Sequence, residues 1–114
     1  MNLLALALLI ASIDTGGHPN PDHALGDGGR AVGRLQMHEI MVDECNRILG
    51  YGAFTHKDRT DTQKSLAMCI VFLRRQRQRK PGATRLELIC SWNSGSINKP
   101  CSPSYRLKVK EILK

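Results

Sequence analysis

The stretch that decides the fold is Asp14-Thr15-Gly16-Gly17-His18-Pro19-Asn20-Pro21, followed by Gly26-Asp27-Gly28-Gly29-Arg30-Ala31-Val32-Gly33-Arg34-Leu35-Gln36-Met37. Turn formers at 15–21 must stop whatever precedes them, because proline breaks a helix and glycine unlocks the backbone. Four glycines within 26–33 read as a turn or short hairpin passing close to something else. Phosphate-cradling loops are also glycine-rich. Here no strand-loop-helix unit and no Lys-Ser/Thr pair follows, so a nucleotide site is rejected.

On the N-terminal side lies an apolar run, Leu3-Leu4 through Leu8-Leu9-Ile10 to Ile13. It has the look of a signal peptide, yet no Lys or Arg occurs before Arg30 to give a charged leader. It is too short to span a bilayer. The reading preferred is a buried first helix ending at Asp14. On the C-terminal side, Ile40, Met41, Cys45, Ile48 and Leu49 fall at helical spacing, with Gly50 placed to end the helix. Thr60 with Gln63 suggests a capping box for a helix to about Arg79, with Leu66, Ala67, Ile70, Val71 and Leu73 inward. Pro81-Gly82 breaks the chain. Thr84 with Glu87 is a second capping box, opening a helix with Leu86, Ile89, Cys90 and Trp92 inside. Ser102-Pro103 then starts a last helix with Tyr105, Val109, Ile112 and Leu113 inward. The expectation is a mainly α (α+β) single domain over 1–114, with about five helices and one small β-hairpin or Gly-rich turn.

The 114 residues carry 17 Lys+Arg and 10 Asp+Glu, for a formal charge of +7. The charge is uneven: residues 1–73 hold six basic and eight acidic side chains, residues 74–114 eleven and two. An acidic front and a basic back point to an anionic partner: nucleic acid, a membrane surface or cell-wall polymer. The run Arg74-Arg75-Gln76-Arg77-Gln78-Arg79-Lys80 has no aromatic interleaving and no nucleic-acid motif beside it, so it reads as a solvated cationic helix end. Cys45, Cys69, Cys90 and Cys101 show no C-x-x-C spacing, and the histidines do not complete a zinc pattern; no metal or organic cofactor is expected. The cysteines read as buried thiols, with one or two disulfides open if the protein works outside the cell. Four cysteines allow three pairings, unranked by sequence.

The order of elements resembles the lysozyme-like superfamily: an apolar helix, an acidic residue, Thr15-Gly16-Gly17, an Asn-Pro turn, Gly26-Asp27-Gly28-Gly29, then Gly33-Arg34-Leu35-Gln36-Met37. Goose-type lysozymes and soluble-lytic-transglycosylase (SLT) domains, in compact phage versions, are the nearest likeness. The later pieces are Trp92-Asn93-Ser94-Gly95 and Tyr105-Arg106-Leu107-Lys108-Val109, so the resemblance spans essentially the whole chain. It implies a lysozyme-like fold and cleavage of the β-1,4 bond between N-acetylmuramic acid and N-acetylglucosamine, with Asp14 as general acid/base. Asp14 replaces the Glu usual in that family, and Thr15 the usual Ser. Asp is one methylene shorter, which sets its carboxyl back by about an ångström, a misplacement that can cost about a hundredfold in rate.

The same resemblance makes Asp27 the second carboxylate, able to orient water; its alternative is an Asp-Gly turn residue. A transglycosylase would need only one protein acid/base. Gln36 becomes a cleft-lining amide, or else a hairpin residue facing solvent. Asn93 braces or positions substrate, and Tyr105 holds the acid or simply packs in the core. Glu39, Asp43 and Glu44 read as a solvated helix face, and His18, His23, His38 and His56 are given no role. The partner implied is peptidoglycan glycan strands at the bacterial cell wall, with no nucleic acid and no stable membrane insertion. An endolysin or virion-associated protein would fit. The alternatives are a catalytically impaired peptidoglycan-binding or structural relative and, further off, a basic nucleic-acid-binding protein.

Overall fold

The computed structural model describes residues 2–114 as five α-helices around one two-stranded antiparallel hairpin, the mainly α architecture expected. Asn2 starts α1 (Leu3–Thr15) by accepting from the Ala5 N–H at 3.1 Å. Leu6, Ala7 and Ile10 are sealed in the core, while Leu4 and Leu8 face outward. The helix ends where the sequence demands: a Cβ on Gly16 would lie 2.3 Å from the Ser12 carbonyl oxygen.

The glycine-rich stretch forms β1 (Leu25–Gly26) and β2 (Ala31–Val32), paired Leu25↔Val32 and Gly26↔Ala31. Asp27, Gly28 and Gly29 make the turn in left-handed backbone. Val32 then bridges to Met37, and the tight link Gly33 to Gln36 also uses positive φ. Gly33 is confined sterically too, since a Cβ there would sit 2.0 Å from the Arg59 carbonyl oxygen.

Helix α2 (Glu39–Leu49) stops at Gly50 in left-handed conformation, as read. Its buried positions are Val42 and Cys45, with Met41 and Ile48 half-buried. Ile40, expected inside, is 75% exposed, and Leu49 is also outside. A short 3₁₀ turn, His56–Thr60, comes before α3 (Thr62–Arg79). The expected Thr60/Gln63 box is replaced by Asp61, which accepts from the Lys64 N–H at 2.8 Å. Thr60 donates instead to the Lys57 carbonyl, and the capping box belongs to Thr55 and Asp58 on the 3₁₀ turn.

The inner face of α3 is Ser65, Met68, Cys69, Phe72, Leu73 and Gln76, a rotation from the expected stripe, whose Leu66, Ala67, Ile70 and Val71 are half-buried. Two polar residues close that face, each satisfied: Ser65 donates to the Thr62 carbonyl, and Gln76 accepts from the Ile97 N–H at 2.9 Å. The helix packs against α1, α2 and α4, so it forms the middle of the core.

The Thr84/Glu87 capping box opens α4 (Arg85–Ser94), and Ser102 caps α5 (Pro103–Ile112), both as expected. In α4, Leu88, Ile89, Cys90, Ser91 and Trp92 are buried, and Leu86 half so. In α5, Tyr105 and Val109 face inward; Leu113 is half-buried and Ile112 exposed. A Cys90–Cys101 disulfide ties α4 to the segment before α5, while Cys45 and Cys69 are free and buried. Phe72 and Trp92 meet edge to face at 5.5 Å, joining α3 to α4. Each such side chain withdrawn from water contributes about 1.5–3 kcal/mol. Among the described residues, no helix is long and apolar enough to cross a membrane.

Candidate active site

The end of α1, the hairpin, the start of α2, the end of α4 and one face of α5 surround a cleft of about 400 Å³. Asp14, Asp27, Gln36, Asn93 and Tyr105 all line it, so the structure gathers every candidate residue at one site. Ile13, Met37, Ile40, Met41 and Trp92 supply its apolar surface. This accounts for the exposure of Ile40: it stands on the cleft wall instead of in the core.

Asp14 occupies the last turn of α1, one residue before buried Thr15. The Thr15 hydroxyl lies 3.1 Å from the Ala11 carbonyl and 2.8 Å from the Arg34 carbonyl, joining the helix end to the loop that carries Gln36. Burial pushes the Asp14 carboxyl up to about 7. The Tyr105 hydroxyl, the Lys108 charge and the Trp92 indole N–H pull the other way without overcoming it. At neutral pH about half of the molecules therefore carry a proton on this acid.

Tyr105 and Lys108 are three residues apart on α5, hence on one face, and both reach the cleft. The Tyr105 oxygen is buried and makes no hydrogen bond of normal geometry, although it is near enough to Asp14 to favour the carboxylate. That closeness and burial raise the pKa of the phenol itself. Trp92 is fixed by donating its indole N–H to the Leu35 carbonyl at 3.1 Å.

Asp27 projects from the hairpin turn, with Oδ1 3.1 Å from the Arg30 guanidinium and Oδ2 3.2 Å from His38 Nε2. It is both things the sequence allowed, a turn residue and a cleft carboxylate. Gln36 spends its amide hydrogens on the Ala24 and Gly33 carbonyls, at 3.1 and 3.0 Å, leaving Oε1 as its acceptor. That oxygen lies against Gly26, where a Cβ would come within 2.2 Å of it. Asn93 accepts from the Ser102 N–H at 3.3 Å, bracing the end of α4 against the start of α5.

Two cleft residues escaped the sequence. His38 has its partner in a turn eleven positions earlier, a separation without a periodic signal. Lys108 had a signal, its helical spacing from Tyr105. His56, also given no role, sits between Glu39 at 2.9 Å and Asp43 at 2.8 Å, which raises its pKa, chiefly through Asp43. So Glu39 and Asp43 are not simply a solvated face. A second hollow lined by Gly29, Arg30, His38, Glu39, Ile40 and Arg59 adjoins the cleft at His38 and Ile40. Among the described residues, no three His, Cys, Asp or Glu side chains form a metal-binding group.

The arrangement can hold a chain-like ligand across an apolar floor and deliver a proton to it from Asp14. Comparison with protein-family models, curated proteins and solved structures finds no match to the chain.

Proposed function

We propose that this protein is a peptidoglycan-degrading enzyme, a muramidase or lytic transglycosylase with Asp14 as general acid/base. The observation carrying the proposal is the neutral-range carboxyl of Asp14 in a cleft shared with Asp27, Gln36, Asn93 and Tyr105. Cleaving a glycosidic bond requires protonation of the leaving oxygen, and an acid poised near 7 can give and retake a proton at ordinary pH. Asp27, clasped by Arg30 and His38, is available to orient water on the hydrolytic route; without that role, attack by the sugar's own hydroxyl gives an anhydro product. The logic of two carboxylates in lysozyme is the established general case, applied here to this cleft. The disulfide fits work in an oxidising place such as the cell wall. Positive charge in the second half of the chain would draw it to that anionic polymer.

The test is clearing of purified cell walls by the wild type, Asp14→Ala and Asp14→Glu. The wild type is expected to clear and Asp14→Ala to fail. Equal clearing by both removes Asp14 from the chemistry, and clearing by Asp14→Glu alone makes the glycan-binding relative the better reading. Product analysis separates reducing ends from anhydro ends.

A further inference from the structure

Lys108 is the one Lys or Arg lining the cleft among the described residues. The cleft's carboxylates leave it uncompensated in different ways. Asp27 is already engaged by Arg30 and His38. Asp14 lies near enough to feel the ammonium, yet it is neutral in about half the molecules at pH 7, and no ion pair within 4 Å joins the two. Lys108 is carried on the exposed side of α5, one helical turn beyond Tyr105, so its ammonium overhangs the acid from the solvent side. A cation set beside a general acid, and not consumed by an ion pair, recognises an anion on the ligand next to the reacting bond.

We infer that Lys108 makes the cleft selective for a sugar bearing a carboxylate beside the scissile bond, so that the lactyl carboxylate of a muramyl residue is held and uncharged N-acetylglucosamine polymers are disfavoured. This rests on the peptidoglycan reading and sharpens it to one contact. The rest of the cleft is matched to a neutral sugar: apolar side chains, the Gln36 Oε1 acceptor and the Asn93 amide. Charge selectivity therefore falls to α5, whose Lys108 approaches from the side opposite the hairpin carboxylate.

The experiment uses the full chain with two strands that differ in charge alone: peptide-free glycan strands with free lactyl carboxylates, and the same strands with those carboxyls reduced to alcohols. Binding is measured by titration, and turnover by release of new chain ends. The wild type should prefer the carboxylate strand by about tenfold in Kd or KM, the worth of one charge-assisted contact. Lys108→Met should lose that preference while handling the reduced strand as the wild type does, and Lys108→Arg should keep most of it. A wild type that treats the two strands alike, or a Lys108→Met variant weakened equally on both, overturns the assignment. If the wild type neither binds nor cuts either strand, the peptidoglycan reading falls, and the role of Lys108 with it; normal cutting without charge preference removes only Lys108.

Discussion

The hydroxyl of Thr15 lies 2.8 Å from the carbonyl oxygen of Arg34, so the residue after the buried acid is tied to the residue two before Gln36. Two walls of the cleft, contributed by α1 and by the hairpin region, are joined at this point. Thr15→Ser keeps the donor and should be close to wild type. Thr15→Val matches the shape but removes the bond, leaving the Arg34 carbonyl unpaired at a cost of about 1–3 kcal/mol. Thermal melting of the two variants checks this, with Thr15→Val expected to melt several degrees lower.

The Asp14 carboxyl, raised from 3.8 to about 7, makes both activity and stability depend on pH. A folded-state pKa above the unfolded value means that the native protein holds the proton more tightly. The resulting stabilisation is complete below about pH 4 and is lost as pH rises through about 7. Asp14→Asn removes the cost of the buried charge, so at pH 8 it should be more stable than the wild type by about 1–2 kcal/mol, after allowance for partial solvation. At pH 4 the two should melt alike. Under the proposed function Asp14→Asn is inactive, and wild-type cleavage falls as pH climbs past 7.

Tyr105→Phe removes a buried oxygen that has no hydrogen bond of normal geometry, so the fold should lose little. The hydroxyl favours the ionised form of Asp14, and its loss should move the alkaline limb of the pH–rate profile upward. A profile that does not move would mean that the phenol is only packing.

Gly33 has φ +86°, and a Cβ there would meet the Arg59 carbonyl oxygen at 2.0 Å. Gly33→Ala should therefore destabilise the protein by more than the roughly 1–3 kcal/mol of a left-handed non-glycine residue alone. Denaturant titration is the check. Gly28→Ala is the control, since its φ is also positive but nothing lies within 4 Å.

Breaking the Cys90–Cys101 disulfide frees an eleven-residue separation that contains Trp92, Asn93, Ser94 and Gly95 of the cleft wall. A Cys90→Ala/Cys101→Ala double variant should lose about 2–4 kcal/mol. The buried thiols of Cys45 and Cys69 should be slow to react with alkylating agents until the protein unfolds, because burial raises the pKa of both.

The helices and their ends were legible because caps are local chemistry: Thr84 with Glu87, Ser102 with Pro103 and Gly50 each act within one turn. The inner face of α3 was not, since Ser65 and Gln76 are polar and become core residues only through the Thr62 carbonyl and the Ile97 N–H. The cleft members were legible as an ordered set of short motifs spread from residue 14 to residue 105. The His38–Asp27 pair was hidden, because nothing local in the sequence says which side of the turn Asp27 will face. Disulfide pairing was hidden for the same reason, until the fold brought the Cα atoms of Cys90 and Cys101 to 5.0 Å.

The position of Asp14 within α1 has a further electrical consequence. It is the next-to-last residue of a thirteen-residue helix with no basic side chain in its last turn. The aligned peptide dipoles end there in a partial negative charge of about half an electron, which repels a carboxylate. The first helix therefore works as a fixed electrode at its own tip, holding the acid toward its neutral form without help from a second carboxylate.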